Sequence, residues 1–306
     1  MPPAKLMSMR EAVARFVPDG ASVCMGAALE ALIPFAAGHE LIRQGRRNLT
    51  LMGPISDMLF DQLAGAGCVR RIIAAWVGNV SAGLGHNFRR AVEQGIPHPL
   101  AVEDHSNLTI AVGLQAGALG APYIPTRSLL GADLLRSNPT FRQTTDPWSG
   151  NPVVLIPALI PDVAILHVQR ADEEGHAQAW GTLGVTRQAA LAARAVVVVA
   201  EEILARQRIL SDPNLVLAPP FKVAAVVHEP WGAYPSPVQG HYGRDHDFYH
   251  RFHEQSRTVE GNRAWLDRWV LGVADWKGFL GKVGPEQLEE LRVKRPRLSE
   301  PLDFGA

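Results

Sequence analysis

"DVAILHVQRADEEGHAQAWGTLGVTRQAALAARAVVVVAEE", residues 162–202, decides how the rest of the chain is read. Two runs, 162–169 and 195–202, are apolar without the alternation of a strand that keeps one face wet. Between them, residues 187–193 carry a helical pattern. Continuously apolar strands are those covered on both faces. Strand, helix and strand in this order form the unit from which open parallel sheets are built.

Working outward, runs of the same kind appear at 22–26, 48–53, 70–78, 99–103, 153–157 and 222–230. Helical patterns fall between them at 9–16, 33–43, 56–66, 87–94 and 107–119. The fold class is therefore α/β, an open and largely parallel sheet flanked by helices, with a helical C-terminal extension. Composition changes near residue 229, where His, Tyr, Trp, Arg and Pro become frequent. This predicts an α/β domain over 1–228 and an extension over 229–306 that packs on it or on a partner. No internal repeat or low-complexity linker interrupts the pattern.

The bulk numbers exclude several classes. In 306 residues, Lys plus Arg and Asp plus Glu are both 30, so no positive field is available for nucleic acid and no polybasic run addresses a membrane. The longest apolar run, "AVVVVA" at 195–200, is far short of the ~20 residues of a membrane span. The start, "MPPAKLMSMREAV", has no apolar core of a secretory signal. Cys24 and Cys68 lie in apolar stretches without a C-x-x-C partner and read as reduced packing residues. A cytoplasmic location is expected.

In open α/β sheets ligands bind beyond the carboxyl ends of the strands. "EDHSN", residues 103–107, falls at such an end, with Ser106 or Asn107 placed to cap the following helix. Glu103 and His105 could supply two metal ligands, but no partner motif accompanies them. Adjacent Asp104, His105 and Ser106 cannot converge as a triad, because neighbouring strand side chains face opposite ways. What remains is a helix cap with a solvated acid, or a working carboxylate at a cleft.

Further along, "GALGAPYIPTRSLLGAD", residues 117–133, sets an extended arm between prolines and presents Arg127 and Ser128. A guanidinium there suits a carboxylate or phosphate, or else a structural ion pair. The glycine-rich "GNVSAGLGHNFRRA" from Gly78 opens a helix whose N–H groups can hold an anion, although it lacks both nucleotide-binding spacings. His246, His250 and His253 recur at helical spacing, as zinc ligands or as part of an aromatic packing face. Glu201 and Glu202 end an apolar run, as functional carboxylates or as a helix start.

Taken in order, "EDHSN", "AGALGAPYIPTRSLLGADL" and "RADEEGHAQAWGTLG" followed by "AVVVVAEEI" resemble the alpha subunit of family I coenzyme A transferases, particularly the glutaconate type. The likeness spans roughly residues 5–270. The family's N-terminal signature is matched by Asp19, Gly20, Val23, Cys24, Met25, Gly26 and Pro34, while Ala27, Ala28 and Leu32 stand where it has Gly, Phe and Gly. "LIPFAAGHELIRQGRRNLTL" and "YPSPVQGHYGRDHDFY" are similar to a subgroup whose alpha subunits, paired with a beta subunit, hydrolyse a carbon–carbon bond in steroid-ring CoA esters.

The resemblance implies a fold of the sugar-phosphate isomerase and CoA-transferase type. It also implies a transferase that moves CoA between an acyl-CoA and a carboxylic acid through a covalent glutamyl intermediate. That glutamate normally sits in the beta subunit within an E-x-G-x-x-G-like motif, which is missing here. The resemblance thus assigns this chain one wall of a shared cleft in an α2β2 assembly. Glu103 is the catalytic candidate, with His105, Ser106, Asn107, Arg127 and Ser128 toward the substrate. Backbone donors would come from Gly26, Gly83, Gly85 and His86. Coenzyme A thioester enters as a substrate, with no covalently bound cofactor and no metal. Two alternatives stand beside this reading: a ring-opening CoA-ester hydrolase subunit using Glu103 as base, and an acyl-CoA-binding protein without chemistry.

Overall fold

The computed structural model describes residues 5–294. The first four residues, and the part of the expected extension from 295 to 306, lie outside the described residues. The parallel strands lie side by side in the order Val223–His228, Ala195–Ile203, Val163–Ala171, Ser22–Cys24, Leu49–Ile55, Val69–Trp76 and Ala101–Asp104. The register is fixed at the centre, where Val23 lies between Val163 and Leu51. From the Ser22–Cys24 strand the chain winds outward to Ala101–Asp104, then returns to Val163–Ala171 and winds the other way. The switch point therefore lies between Ser22–Cys24 and Val163–Ala171, and strand carboxyl ends beside it are the expected ligand position.

The continuous apolar runs are explained by burial on both faces. Val197 and Val199 join one core cluster, while Val196, Val198 and Ala200 join the other. The first cluster packs under helices Met9–Phe16, Phe35–Arg43 and Met58–Gly65. The second packs under Asn107–Leu119 and Thr186–Ala192. Helix Asn107–Leu119 sits unusually close to the neighbouring segment because of a glycine: a Cβ on Gly117 would lie 2.4 Å from the Leu159 carbonyl oxygen.

One expected parallel strand belongs elsewhere. Pro152–Pro157 is the middle of a separate three-stranded antiparallel sheet, between Tyr123–Thr126 and Arg142–Thr145. Val154 and Ile156 are buried while Val153 and Leu155 are half-buried, so the run has one covered face rather than two.

Beyond residue 228 the chain crosses the carboxyl ends of the strands and buries Trp231, Tyr234 and Tyr242 there. Helices His246–Gln255, Val259–Leu266, Trp276–Val283 and Pro285–Leu291 follow. Phe248, Trp265, Trp276 and Phe279 from these helices share one apolar cluster with Val23 and Leu51 of the central strands.

Candidate functional site

The strand-to-helix corner at 103–107 is built from both of its neighbours. Ala101–Asp104 is an edge strand paired with Val69–Trp76, with Ile73 opposite Glu103 and Arg71 opposite Ala101. Arg71 thus stands diagonally beside Glu103, within reach of a long side chain, and its guanidinium pairs with the Glu103 carboxylate. His105 Nε2 lies 3.0 Å from the other carboxylate oxygen, with Thr140 Oγ1 3.5 Å from that oxygen. The His105 ring is itself fixed, with Nδ1 at 3.1 Å from Thr109 Oγ1 and the Phe141 ring edge-on at 5.1 Å.

Ser106, rather than Asn107, caps the helix. Its hydroxyl accepts from the Thr109 N–H at 3.1 Å, while Thr109 Oγ1 accepts from the Ser106 N–H at 2.8 Å. Asn107 is exposed in the first turn. A loop closes over the corner: Asn138 Nδ2 donates to the Asp104 carbonyl at 2.6 Å, and its Oδ1 accepts from Thr140 Oγ1 at 2.6 Å.

Burial works to raise the Glu103 pKa, but the His105 hydrogen bond and the Arg71 charge outweigh it, so the carboxyl sits below its ordinary value. It is a carboxylate at neutral pH. The base reading required burial to lift this group toward neutrality, and the shift runs the other way.

Arg127 and Ser128 lie on the antiparallel sheet, not on the rim of the parallel one. They follow the Tyr123–Thr126 strand, and Ser128 Oγ accepts from Thr126 Oγ1 at 3.2 Å. Arg127 is exposed, pairs with no carboxylate among the described residues, and lines a recess of about 790 Å³ with Tyr123, Thr144, Trp148, Val153 and Leu155. The strand Arg142–Thr145 links the two places, because it starts beside Thr140 and Phe141 and reaches Thr144.

The glycine loop behaves differently from its sequence expectation. Gly78–Asn79 and Gly83–Leu84 form a small antiparallel pair, with Gly83 at φ 121°. Gly85 leads into helix His86–Gln94, but its N–H donates to the Val77 carbonyl at 3.3 Å. The helix start is already served by Asp61, which accepts from the Phe88 N–H at 2.7 Å and from Asn87 Nδ2 at 3.0 Å. The anion at this helix N-terminus is the chain's own. His86 packs against His253 with ring centroids 4.3 Å apart and the planes tilted by 40°. Gly26 turns the chain after the central strand at φ 63°, close against Ser56.

Glu201 is inside the Ala195–Ile203 strand, not at a helix start. It accepts from Tyr242 Oη at 2.6 Å and the Trp231 N–H at 2.8 Å, and lies 2.7 Å from His167 Nε2. Burial raises its pKa, and these partners bring it below the ordinary value. The segment past residue 228 thereby seals the carboxyl end of this strand. Nearby, Asp57 and Arg244 form a buried ion pair at 2.6 Å.

His246, His250 and His253 do share a helix, yet its covered side is carried by Phe248, Tyr249 and Phe252. Among the described residues no group of three His, Cys, Asp or Glu is arranged to hold a metal ion, and no helix is long and apolar enough to cross a membrane. Sequence reasoning missed Arg71, Asn138 and Thr140. The polar Arg71 within an otherwise apolar strand run was the one local signal.

Known proteins share this sequence pattern and this fold. A model of the coenzyme A transferase family matches residues 6–229. A 3-oxoadipate CoA-transferase chain of Pseudomonas knackmussii is 39% identical over 280 residues, covering 92% of this chain and 98% of that protein. A glutaconate CoA-transferase chain of Acidaminococcus fermentans is 31% identical over 307 residues, covering 95% of each. Both relatives are single subunits of their enzymes. The crystal structure of that glutaconate enzyme superimposes with a TM-score of 0.91 at 30% identity, covering 97% of this chain and 98% of the matched chain. A structure of the decarboxylase AibA/AibB, in a C56S variant, matches with a TM-score of 0.76 at 32% identity, covering 88% and 100%.

Proposed function

Because the chain belongs to the coenzyme A transferase family, we propose that it is the alpha half of a two-subunit enzyme in which a second polypeptide supplies the attacking glutamate. In that reading the thioester carbonyl is attacked by the partner's carboxylate, forming a mixed anhydride and releasing CoA thiolate. The thiolate then attacks the glutamyl carbonyl and frees the first acid, and the acceptor acid reverses both steps. The role of this chain is to bind, orient and neutralise.

The observation that carries the reading is the state of Glu103. Its carboxylate is ionised and pinned by His105 and Arg71 at an open sheet edge. A group so engaged is a poor free nucleophile, but it can accept a hydrogen bond from a donor on the substrate, such as an amide N–H of the CoA arm. The hydrolytic reading asks Glu103 to be a base near neutrality, which its low pKa does not favour. Transfer is the better-supported function.

The acids named in the two relatives, 3-oxoadipate and glutaconate, are both dicarboxylates. The substrate class we assign is therefore a dicarboxylic acyl-CoA, with Arg127 gripping the distal carboxylate and Ser128 beside it. The partner would cover the outer face of the antiparallel sheet, where Tyr123 is 47% and Trp148 92% exposed. Exposed aromatic clusters of this kind are characteristic of protein interfaces. An α2β2 assembly completes the proposal.

The test is reconstitution. Acyl exchange should be absent from the lone chain and emerge on mixing with the second polypeptide. Glu103→Gln in the complex should lower turnover by about tenfold or more, as expected on losing a hydrogen bond to a charged group. A loss of under about threefold would reduce Glu103 to a helix-start carboxylate, and exchange by the lone chain would remove the division of labour.

A further inference from the structure

The turn after strand Val69–Trp76 carries a serine backed by a buried charge. Its strand lies beside Ala101–Asp104, with Ala74 opposite Asp104, so the turn and the Glu103 corner leave the sheet at the same carboxyl end. That is the end where open α/β sheets take their ligands. Two ties fix the turn from inside. The Val80 N–H donates to Asp57 Oδ1 at 3.0 Å, and Asn79 Nδ2 donates to the Tyr249 carbonyl at 2.6 Å. Ser81 is half-buried, and its N–H donates to Asn79 Oδ1 at 3.1 Å.

Arg244 donates to Ser81 Oγ from Nε at 3.2 Å and from Nη2 at 3.0 Å. This guanidinium is buried, paired with Asp57 at 2.6 Å, and laid over the Tyr249 ring 3.7 Å from its centroid. Asp57 holds its place at a backbone cost, with φ 46°, a region that residues other than glycine seldom enter. Strain of this kind persists where the surroundings over-determine it, and it gathers at working sites. A serine hydroxyl has one proton to give and two lone pairs that accept. Here the guanidinium fills the accepting side, and among the described residues nothing accepts the proton. A hydroxyl that accepts from a cation is the stronger donor, because the charge polarises its O–H bond.

We propose that Ser81 donates this proton in a hydrogen bond to the thioester carbonyl oxygen of the acyl-CoA, with Arg244 and Asp57 as positioning residues behind it. The assignment rests on the transferase reading above. With the distal carboxylate given to Arg127, the carbonyl is the acyl oxygen left to be held. It gains negative charge when the partner's glutamate adds to the carbonyl carbon, and loses it when the thiolate is expelled. Ser81 keeps its proton throughout. A donor aimed at charge that develops during reaction contributes to turnover more than to substrate binding.

The reconstituted two-subunit complex, assayed with glutaconyl-CoA and 3-oxoadipyl-CoA as donors, tests this. Ser81→Ala should lower kcat about 100-fold and leave KM for the donor within about threefold, the pattern of a lost oxyanion donor. Ser81→Thr keeps a hydroxyl and should recover kcat to within about tenfold of the unaltered complex. Arg244→Lys should lower kcat about tenfold when Ser81 is present and have no further effect in Ser81→Ala, as for two residues acting through one contact. An equal loss in both backgrounds would overturn the positioning role of Arg244. Unchanged kcat in Ser81→Ala, even with a lower melting midpoint, would overturn the proposal and leave Ser81 an anchor for Arg244. A raised KM at unchanged kcat would overturn it as well, by moving Ser81 to a contact made equally in the ground state. If Arg244→Lys fails to fold, the two Ser81 variants decide. Absence of exchange in the unaltered complex would remove the transferase reading itself, and this assignment with it.

Discussion

Glu103 and Glu229 stand at the carboxyl ends of the two opposite edge strands of one sheet, and their surroundings push them in opposite directions. Glu103 is matched by His105, Arg71 and Thr140, and its carboxyl sits below the ordinary value. Glu229 follows the Val223–His228 strand and opens on a cavity of about 790 Å³ lined also by Glu40, Arg43 and Asp275. No hydrogen bond or ion pair reaches its carboxylate among the described residues. Burial first, then the negative charges of Asp275, Glu201 and Glu40 against the attraction of Arg43, push it up to about 7. The same residue type at the same kind of position is thus an anion on one edge and half-protonated at neutrality on the other. Burial pushes both carboxyls up, and only at Glu103 do the partners reverse it.

The largest effect expected from this contrast is on stability. An unfolded Glu229 titrates near 4.5 and the folded one at about 7, so between those values the folded chain holds the extra proton. Stability contributed by this edge is therefore present below pH 4.5 and lost as pH rises through 7, by up to about 3 kcal/mol. Glu229→Gln should raise stability by that amount at pH 8 and change little at pH 4. Urea denaturation at the two pH values measures it, and equal shifts at both would mean the cavity solvates Glu229 freely.

Glu103 should respond with the opposite sign. Its folded pKa is lowered, so its contribution is present above the unfolded value of 4.5 and disappears as pH falls. His105→Ala removes a hydrogen bond to a charged group and leaves a void beside Phe141, costing about 2–3 kcal/mol at pH 7 and flattening the acid-side loss. Arg71→Ala, at a side chain 43% exposed, should cost less than about 1 kcal/mol. If Arg71 proved the more costly of the two, the matched edge would be held by the direct Arg71 ion pair rather than by the buried imidazole.

How much of this was legible in the sequence follows from how local each cause is. The parallel strands could be read because unbroken apolar runs such as 195–200 report burial on both faces. Asn107–Leu119 was bounded by its own cap at Ser106 and its left-handed end at Gly120. Glu103 and His105 could be paired because a single residue separates them. Arg71 and Thr140 reach Glu103 through strand register and a returning loop, which no short window contains. The antiparallel sheet escaped because Arg142–Thr145 is four exposed residues with no apolar face. Glu229 looked ordinary because the charges that act on it come from 40, 43, 201 and 275.

The two edges can be compared only if the centre of the sheet carries the family's backbone despite its changed residues, and Leu32 tests that. It stands where the signature has glycine, and it is held at φ 54°, the left-handed region that glycine enters freely. The turn has kept the glycine's conformation without the glycine, at a strain of about 1–2 kcal/mol. Leu32 is also 4% exposed within the core, so any truncation removes packing. In a strand or helix Gly is worse than Ala by about 0.5–1 kcal/mol. Here the order should reverse: Leu32→Ala loses the packing and keeps the strain, whereas Leu32→Gly loses the packing and releases it. Leu32→Gly should therefore be the more stable variant by about 1 kcal/mol, read from the two melting midpoints. The usual order would mean that the backbone relaxes on truncation, so that the side chain, not the inherited turn, holds the shape between the edges.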